Sequence, residues 1–339
     1  MTKVLITGGA GFIGHHLVDY LLENTDWWLT LIDRLDGSGN LNRLMELPSM
    51  DWKRHKHRVR FVFHDLRAAI NGQVAHKIGN TDYVLHLGAA THVDRSIDDP
   101  MSFVQDNVVA TCNLLSFMRE CNPKRFIYFG TDEVFGPAPE DVRYREDDRY
   151  RSGNPYAATK AGAEELCIAF ENTYKLPISV IHCMNVFGER QHPEKFIPMV
   201  ISKVLKGDKV YIHADATKTK PGSRFYIHAS NVSNALVRLL DCAKAGEKYN
   251  IVGEREVNNL ELAQTIAKCV GKTLNYELVD FHSSRPGHDL RYALDGTKMA
   301  KLGWTPPETF EQGIERVVKW TLVHKEWLES GLKRQAICE

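Results

Sequence analysis

VLITGGAGFIGHHLVDYLL, residues 4–22, joins an apolar run to an amphipathic one through a glycine-rich turn. Val4 to Thr7 is a short buried-type strand, and a helical pattern from Phe12 to Leu22 follows almost at once. Between them Gly8, Gly11 and Gly14 recur every third residue. Glycine permits the tight turn, lets backbone approach a diphosphate closely, and lets helix and strand touch, while the first helical amides point at the anion. Many glycine patterns are only structural turns; the strand before this one and the helix after it make it a dinucleotide cradle, with Phe12 and Ile13 opening the helix.

The same alternation continues along the chain. Leu29 to Asp33, Arg58 to Phe63, Tyr83 to Leu87, Arg125 to Phe129 and Ile178 to His182 read as strands. A helix is expected over roughly Phe103 to Glu120, and another from Pro155 to about Tyr174. This predicts an α/β fold, a Rossmann-type parallel sheet with helices on both faces. Past Phe187 the pattern loosens, so residues 186–330 are expected to form a smaller, mostly C-terminal α/β substrate-binding domain. Residues 1–185 form the cofactor domain in this reading, with the chain returning to it near 225–250.

The 339 residues are 43% hydrophobic, enough for a large core, and 43 basic residues balance 43 acidic ones, giving no reason to expect a nucleic acid or an acidic membrane as partner. The seven cysteines are scattered without a CxxC pair, which favours reduced thiols over a disulfide framework or a zinc site. His213 and His228 lack acidic or sulfur ligands at convincing spacing, so no metal is expected. The N-terminus does not have the form of a secretory signal, and no apolar run is long enough to span a bilayer; a cytoplasmic protein is expected.

Asp33 ends the second strand, where a carboxylate accepts hydrogen bonds from an adenosine ribose and favours NAD over its 2'-phosphorylated relative. Arg34 leaves the phosphorylated cofactor open, since its guanidinium could take the extra phosphate. Asp65 and Leu66 follow the third strand and can hold the adenine edge, the lesser alternative for Asp65 being a turn cap. Ala89, Ala90 and Thr91 follow the fourth and suit a narrow pass beside the pyrophosphate, or ordinary close packing.

Tyr156 and Lys160 stand four apart at the start of a helix, so both project from one face. A nearby cation stabilises a tyrosinate able to accept a hydroxyl proton, and Lys160 can also reach a ribose. Thr131, Asp132 and Glu133 follow the fifth strand at the edge where α/β folds bind ligands. They can form a cap and a solvated acidic helix start, or they can do chemistry. In the second case one acid keeps its proton while its neighbour stays charged, a separation that burial and mutual repulsion produce.

TGGAGFIG (residues 7–14), HVDRS (92–96), TDEVFG (131–136), YAATK (156–160), PEKFIP (193–198), RPGHDLRYALD (285–295) and LGWTP (302–306) together resemble the extended short-chain dehydrogenase/reductase family, and within it the dTDP-glucose 4,6-dehydratase family, over nearly the whole chain. The resemblance implies an NAD-dependent dehydratase acting on a nucleotide-diphosphate sugar. Hydride leaves sugar C4 as Tyr156 accepts the hydroxyl proton, Thr131 holds a sugar hydroxyl, Glu133 removes the C5 proton, Asp132 protonates the departing C6 oxygen, and hydride returns to C6. It further implies substrate contacts by His92, Asn185, Lys195, Arg224, Arg285 and His288, and a homodimer built through helices. Lys195 could instead lie on the rim of the cap, and His288 could make a structural hydrogen bond.

Two stretches depart from the family pattern: Ala90 stands where glutamate is common, and Met184 to Gly188 read MNVFG where SNNYG is common. Loss of polar groups beside the sugar keeps two further outcomes open. One resembles a UDP-N-acetylglucosamine 5,6-dehydratase, which returns hydride to C4. The other is a UDP-sugar 4-epimerase, which needs Tyr156 and Lys160 without the acid pair. A nucleotide-sugar-binding protein without activity would explain the cradle but not Asp132, Glu133, Tyr156 and Lys160.

Overall fold

The computed structural model describes residues 1–36, 38–49, 55, 57–280 and 290–329. In chain order the strands are β1 (Lys3–Thr7), β2 (Trp28–Asp33), β3 (Val59–Phe63), β4 (Tyr83–His86), β5 (Arg125–Thr131), β6 (Ile178–Cys183), β7 (Val186–Phe187), β8 (Val210–Ala214), β9 (Ser223–Phe225), β10 (Ile227–His228), β11 (Lys248–Ile251), β12 (Glu256–Asn258) and β13 (Tyr276–Asp280). Seven of them form one sheet in the order β11-β6-β5-β4-β1-β2-β3. Every pairing in it is parallel. Parallel strands covered on both faces need apolar side chains on both, which is why Val4, Leu5 and Ile6 are all buried.

One face is covered by the helix Phe12–Asn24 and the helix Ala229–Cys242, whose Leu17, Val18, Leu21, Val232, Leu236 and Leu239 share a core with the sheet. Each such side chain contributes roughly 1.5–3 kcal/mol on burial, so packing more than intrinsic propensity holds these helices in place. The opposite face is covered by the helices Ala110–Cys121 and Pro155–Tyr174, through Leu114, Leu115, Met118, Ala163 and Cys167. A separate core joins the helices Phe196–Lys206, Asn259–Val270 and Phe310–Val323 to β8 and β12. Three two-stranded ladders, β10-β7, β12-β9 and β13-β8, lie in this smaller part.

Two elements differ from the sequence reading. The expected helix from Phe103 is broken: Pro100–Phe103 is one short helix, Val104–Val109 is a π-helical stretch, and Ala110–Cys121 follows. The wider turn leaves Asn107 buried instead of on a surface face. The seventh strand, β11, has no strand signal of its own; it forms because the edge of β6 offers an open parallel ladder from Val180 to Cys183. Strand order reverses between β1 and its neighbours β2 and β4, and ligands of such sheets bind in the crevice at the carboxyl ends beside that switch.

Candidate active site

A cavity of about 340 Å³ opens at this crevice and runs from the glycine loop to Tyr156 and Lys160. Gly8 adopts φ +69°, and a Cβ there would lie 2.9 Å from the backbone of Gly88; a Cβ on Gly14 would lie 2.1 Å from the Gly8 carbonyl oxygen. No side chain caps the helix that starts at Phe12, so its first amides remain available to an anion.

Asp33 lines the cavity with its carboxylate fixed from behind: Oδ2 accepts from the Ala10 amide at 3.1 Å and Oδ1 from the Leu35 amide at 2.9 Å. Arg34 is already committed. Its guanidinium makes a two-pronged ion pair with Asp106 at 2.6 Å, pairs with Asp36, and lies 3.5 Å from Asp65. An added 2'-phosphate here would meet Asp33, Asp36, Asp65 and Asp106 against Arg34 and Arg67, so the site selects the unphosphorylated ribose. The Asp65 carboxylate takes Arg67 and Arg34, while Leu66 also lines the cavity. Ala89, Ala90 and Thr91 border the cavity beyond β4 and are held by the buried Asn107, whose Oδ1 accepts from the Ala90 amide at 2.8 Å and whose Nδ2 donates to the Ala90 carbonyl at 3.1 Å.

Thr131, Asp132, Glu133, Tyr156 and Lys160 converge on the far end of the same cavity. Thr131 is the last residue of β5, and a single 3-10 turn, Asp132–Phe135, swings both acids inward. Asp132 is buried; Thr131 Oγ1 donates to its Oδ1 at 3.2 Å, and its Oδ2 has no hydrogen-bond partner among the described residues. Burial, and next the charge of Glu133, push the Asp132 carboxyl up to about 7, against a smaller pull from Arg224. Glu133 is less buried and accepts a hydrogen bond from Asn154 Nδ2 at 3.1 Å. The two neighbouring acids thus sit in unlike surroundings, as an acid and base pair requires.

Tyr156 and Lys160 start the helix that Asn154 caps, and the Ser96 hydroxyl accepts from the Tyr156 amide at 3.1 Å. Burial and the charge of Glu133 push the Tyr156 phenol above its ordinary value, while a hydrogen bond with Thr131 opposes them. Burial pulls Lys160 down to about 8; its ammonium donates to the Phe129 carbonyl at 2.7 Å and lies 4.4 Å from the Tyr128 ring centre. Cys183 and Met184 line the cavity beside these residues.

The expected substrate contacts divide. Asn185 and Lys195 line the cavity. His92 does not; its Nε2 lies 3.6 Å from Glu194. Arg224 also lies off the lining, over the Tyr292 ring at 4.6 Å and donating to the Ser223 and Leu290 carbonyls, though its charge reaches Asp132. Arg285 and His288 lie outside the described residues.

A profile of the family described as GDP-mannose 4,6 dehydratase matches residues 5–317. The chain belongs to this family. Among its relatives, the dTDP-glucose 4,6-dehydratase of Salmonella typhimurium is 36% identical over 352 residues, covering 97% of this chain and 95% of its own. The low-salt glycan biosynthesis protein Agl12 of Haloferax volcanii is 37% identical over 319 residues, covering 94% and 98%. The structure of DesIV, a dTDP-glucose 4,6-dehydratase of Streptomyces venezuelae with NAD bound, matches with a TM-score of 0.86 at 32% identity, covering 97% of this chain and 99% of that one. The resemblance read from the motifs is therefore membership: the chain is an extended short-chain dehydrogenase/reductase of the dTDP-glucose 4,6-dehydratase type.

Sequence reasoning missed three residues that position this site: Ser96, Asn107 and Asn154. Asn154 left a signal as a capping residue directly before Pro155, and Ser96 as the last residue of HVDRS; Asn107 left none. The six cysteines among the described residues are free, and those residues include no group of His, Cys, Asp or Glu able to hold a metal. No helix among them is long and apolar enough to cross a membrane.

Proposed function

We propose that the protein dehydrates dTDP-glucose to its 4-keto-6-deoxy product. It is an NAD-dependent nucleotide-sugar dehydratase. One observation carries the assignment of elimination beyond simple redox chemistry. Asp132 is a buried carboxyl that keeps its proton up to about pH 7 and stands beside Glu133 at the cavity end that holds Tyr156. A 4-epimerase has no use for that acid pair.

Gly8, Gly11, Phe12, Ile13, Gly14, Asp33, Leu66 and the Ala89 to Thr91 pass would hold NAD, which when bound would accept hydride from C4 and supply it to C6. Tyr156 takes the C4 hydroxyl proton as the tyrosinate, a form that the Thr131 hydrogen bond favours against burial and the charge of Glu133, with Lys160, one helical turn on, as the nearby cation of this reading. With C4 a ketone, the C5 hydrogen is acidic; Glu133 removes it and Asp132 gives its proton to the C6 hydroxyl, which departs as water, and as hydride reaches C6 the proton on Glu133 returns to C5. Asn185 and Lys195 face the sugar diphosphate from the cavity wall, and Arg224 and Arg285 are assigned to the nucleotide by the family resemblance.

In this reading residues 1–185, with 225–250 returning, form the cofactor domain, and 186–330 mainly hold the nucleotide sugar; the core shared by the helix Ala229–Cys242 and β1 supports the return. The protein works in the cytoplasm as a homodimer. Ile97, Met101, Val104 and Val109, exposed along one stretch beside the helix Pro155–Tyr174, support a helical dimer face. Incubation with dTDP-glucose, UDP-glucose and UDP-N-acetylglucosamine, followed by mass spectrometry, tests the reaction. Loss of one water from dTDP-glucose is expected; unchanged mass with an inverted C4 would make the protein an epimerase.

A further inference from the structure

Arg43 lies outside the cavity lining yet is almost wholly buried, with 4% of its surface exposed. A guanidinium that loses its water must spend its donors elsewhere, and Arg43 spends them on the backbone of three separate segments. Its NH1 donates to the Ala10 carbonyl of the glycine loop at 3.3 Å and to the Ser38 carbonyl of the loop that follows Asp33; its Nε donates to the Arg190 carbonyl at 3.2 Å. Ser38 borders the cofactor end of the cavity, and Gln191, next to Arg190, borders it near Lys195.

Arg190 returns the contact. Its NH2 donates to the Glu46 carbonyl at 2.7 Å, one turn beyond Arg43, and its guanidinium lies 4.7 Å from the Trp320 ring centre. Its backbone is held at φ +60°, a conformation that non-glycine residues adopt at a cost of order 1–3 kcal/mol when the surroundings fix it. Trp327 completes the brace, donating from Nε1 to Glu46 Oε2 at 3.1 Å and lying 5.9 Å from the Arg43 guanidinium. Two arginines thus interlock the segment 38–46 with the segment 189–191, Arg43 binding the Arg190 carbonyl and Arg190 the Glu46 carbonyl.

We propose that Arg43 is a positioning residue that couples the two ligands, so that a nucleoside diphosphate on the substrate side tightens the hold on NAD. Ordering the segment around Arg190 from one side orders the Ser38 and Ala10 carbonyls from the other, and the second ligand then meets an already ordered wall. The inference rests on the proposed dinucleotide and nucleotide-sugar sites. Neither arginine touches the reacting atoms.

The test is a ligand cycle: NAD affinity of the full chain measured with and without saturating thymidine diphosphate, in the wild type, Arg43→Met, Arg43→Lys and Arg190→Met. Thymidine diphosphate is expected to tighten NAD binding by about 5-fold or more in the wild type. In Arg43→Met and Arg190→Met the gain falls to within about 2-fold, and Arg43→Lys keeps part of it. A merely structural role would weaken both ligands and lower the melting temperature while leaving that ratio intact, which overturns the proposal. A wild type that binds both ligands without mutual effect overturns it as well. Should Arg43→Met fail to fold, Arg43→Lys and Arg190→Met read the same coupling. Failure of the wild type to bind thymidine diphosphate at all would instead refute the substrate reading beneath it.

Discussion

Replacing Asp132 with asparagine keeps the size of the side chain and removes its exchangeable proton. With its carboxyl pushed to about 7, roughly half of the molecules carry that proton at pH 7; at the ordinary value of 3.8, fewer than about one in a thousand would. General acid catalysis is worth about 100- to 10,000-fold, so Asp132→Asn should lower kcat for dehydration by that factor. Reduction of NAD by the C4 hydroxyl in a single turnover should persist, because Tyr156 and Lys160 are unchanged. The same shift fixes the sign of a stability effect. The native carboxyl holds its proton up to about pH 7, whereas in the unfolded chain it ionises near 3.8, so the native state carries the extra proton between these values. The stability tied to that proton is present below about pH 4 and is lost as pH rises through 7. Asparagine never ionises, so at pH 8 Asp132→Asn should be the more stable protein, by up to about 4 kcal/mol, and at pH 4 nearly equal to wild type. Dehydration assays with dTDP-glucose, NADH absorbance in single turnover, and thermal melts at the two pH values measure all three effects. A variant that turns over within about 3-fold of wild type, or whose melting advantage is the same at both pH values, would refute the reasoning.

Lys160 acts as a cation, and burial has brought it down to about 8, so turnover should fall as pH rises through that value; Lys160→Met should be slow across the whole range, as kcat against pH will show. Gly14→Ala should abolish NAD binding in calorimetry and lower the melting temperature, since its methyl group would lie 2.1 Å from the Gly8 carbonyl. The 2'-phosphorylated cofactor should bind at least about 100-fold more weakly than NAD, because Arg34 is held by Asp106 and Asp36; equal affinities would show that those ion pairs open freely. Asn154→Ala removes both a helix cap and the partner of Glu133, so a loss of about 1 kcal/mol in stability should accompany a fall in kcat larger than that loss explains.

The glycine loop, Asp33, Tyr156, Lys160 and the tripeptide from Thr131 to Glu133 were legible because each follows directly from a strand end or a helix start, and local pattern reveals both. Asn107 was not, because its contact with Ala90 crosses 17 residues and depends on a π-helical stretch that no helical periodicity announces. The commitment of Arg34 to Asp106 spans 72 residues and exists only because β2 and the segment after Phe103 meet above the sheet. His92 shows the converse. The resemblance implied a substrate contact for it, and its Nε2 lies 3.6 Å from Glu194, off the cavity lining. β11 escaped notice because Lys248–Ile251 is short and owes its strand form to the edge of β6.

Migration of deuterium from dTDP-glucose labelled at C4, followed by NMR of the product, tests the central claim most directly. Loss of one water and deuterium on C6, carried there within one site by the cofactor, is the expected result. Deuterium returned to C4, with a 5,6-alkene or with water retained, would contradict it.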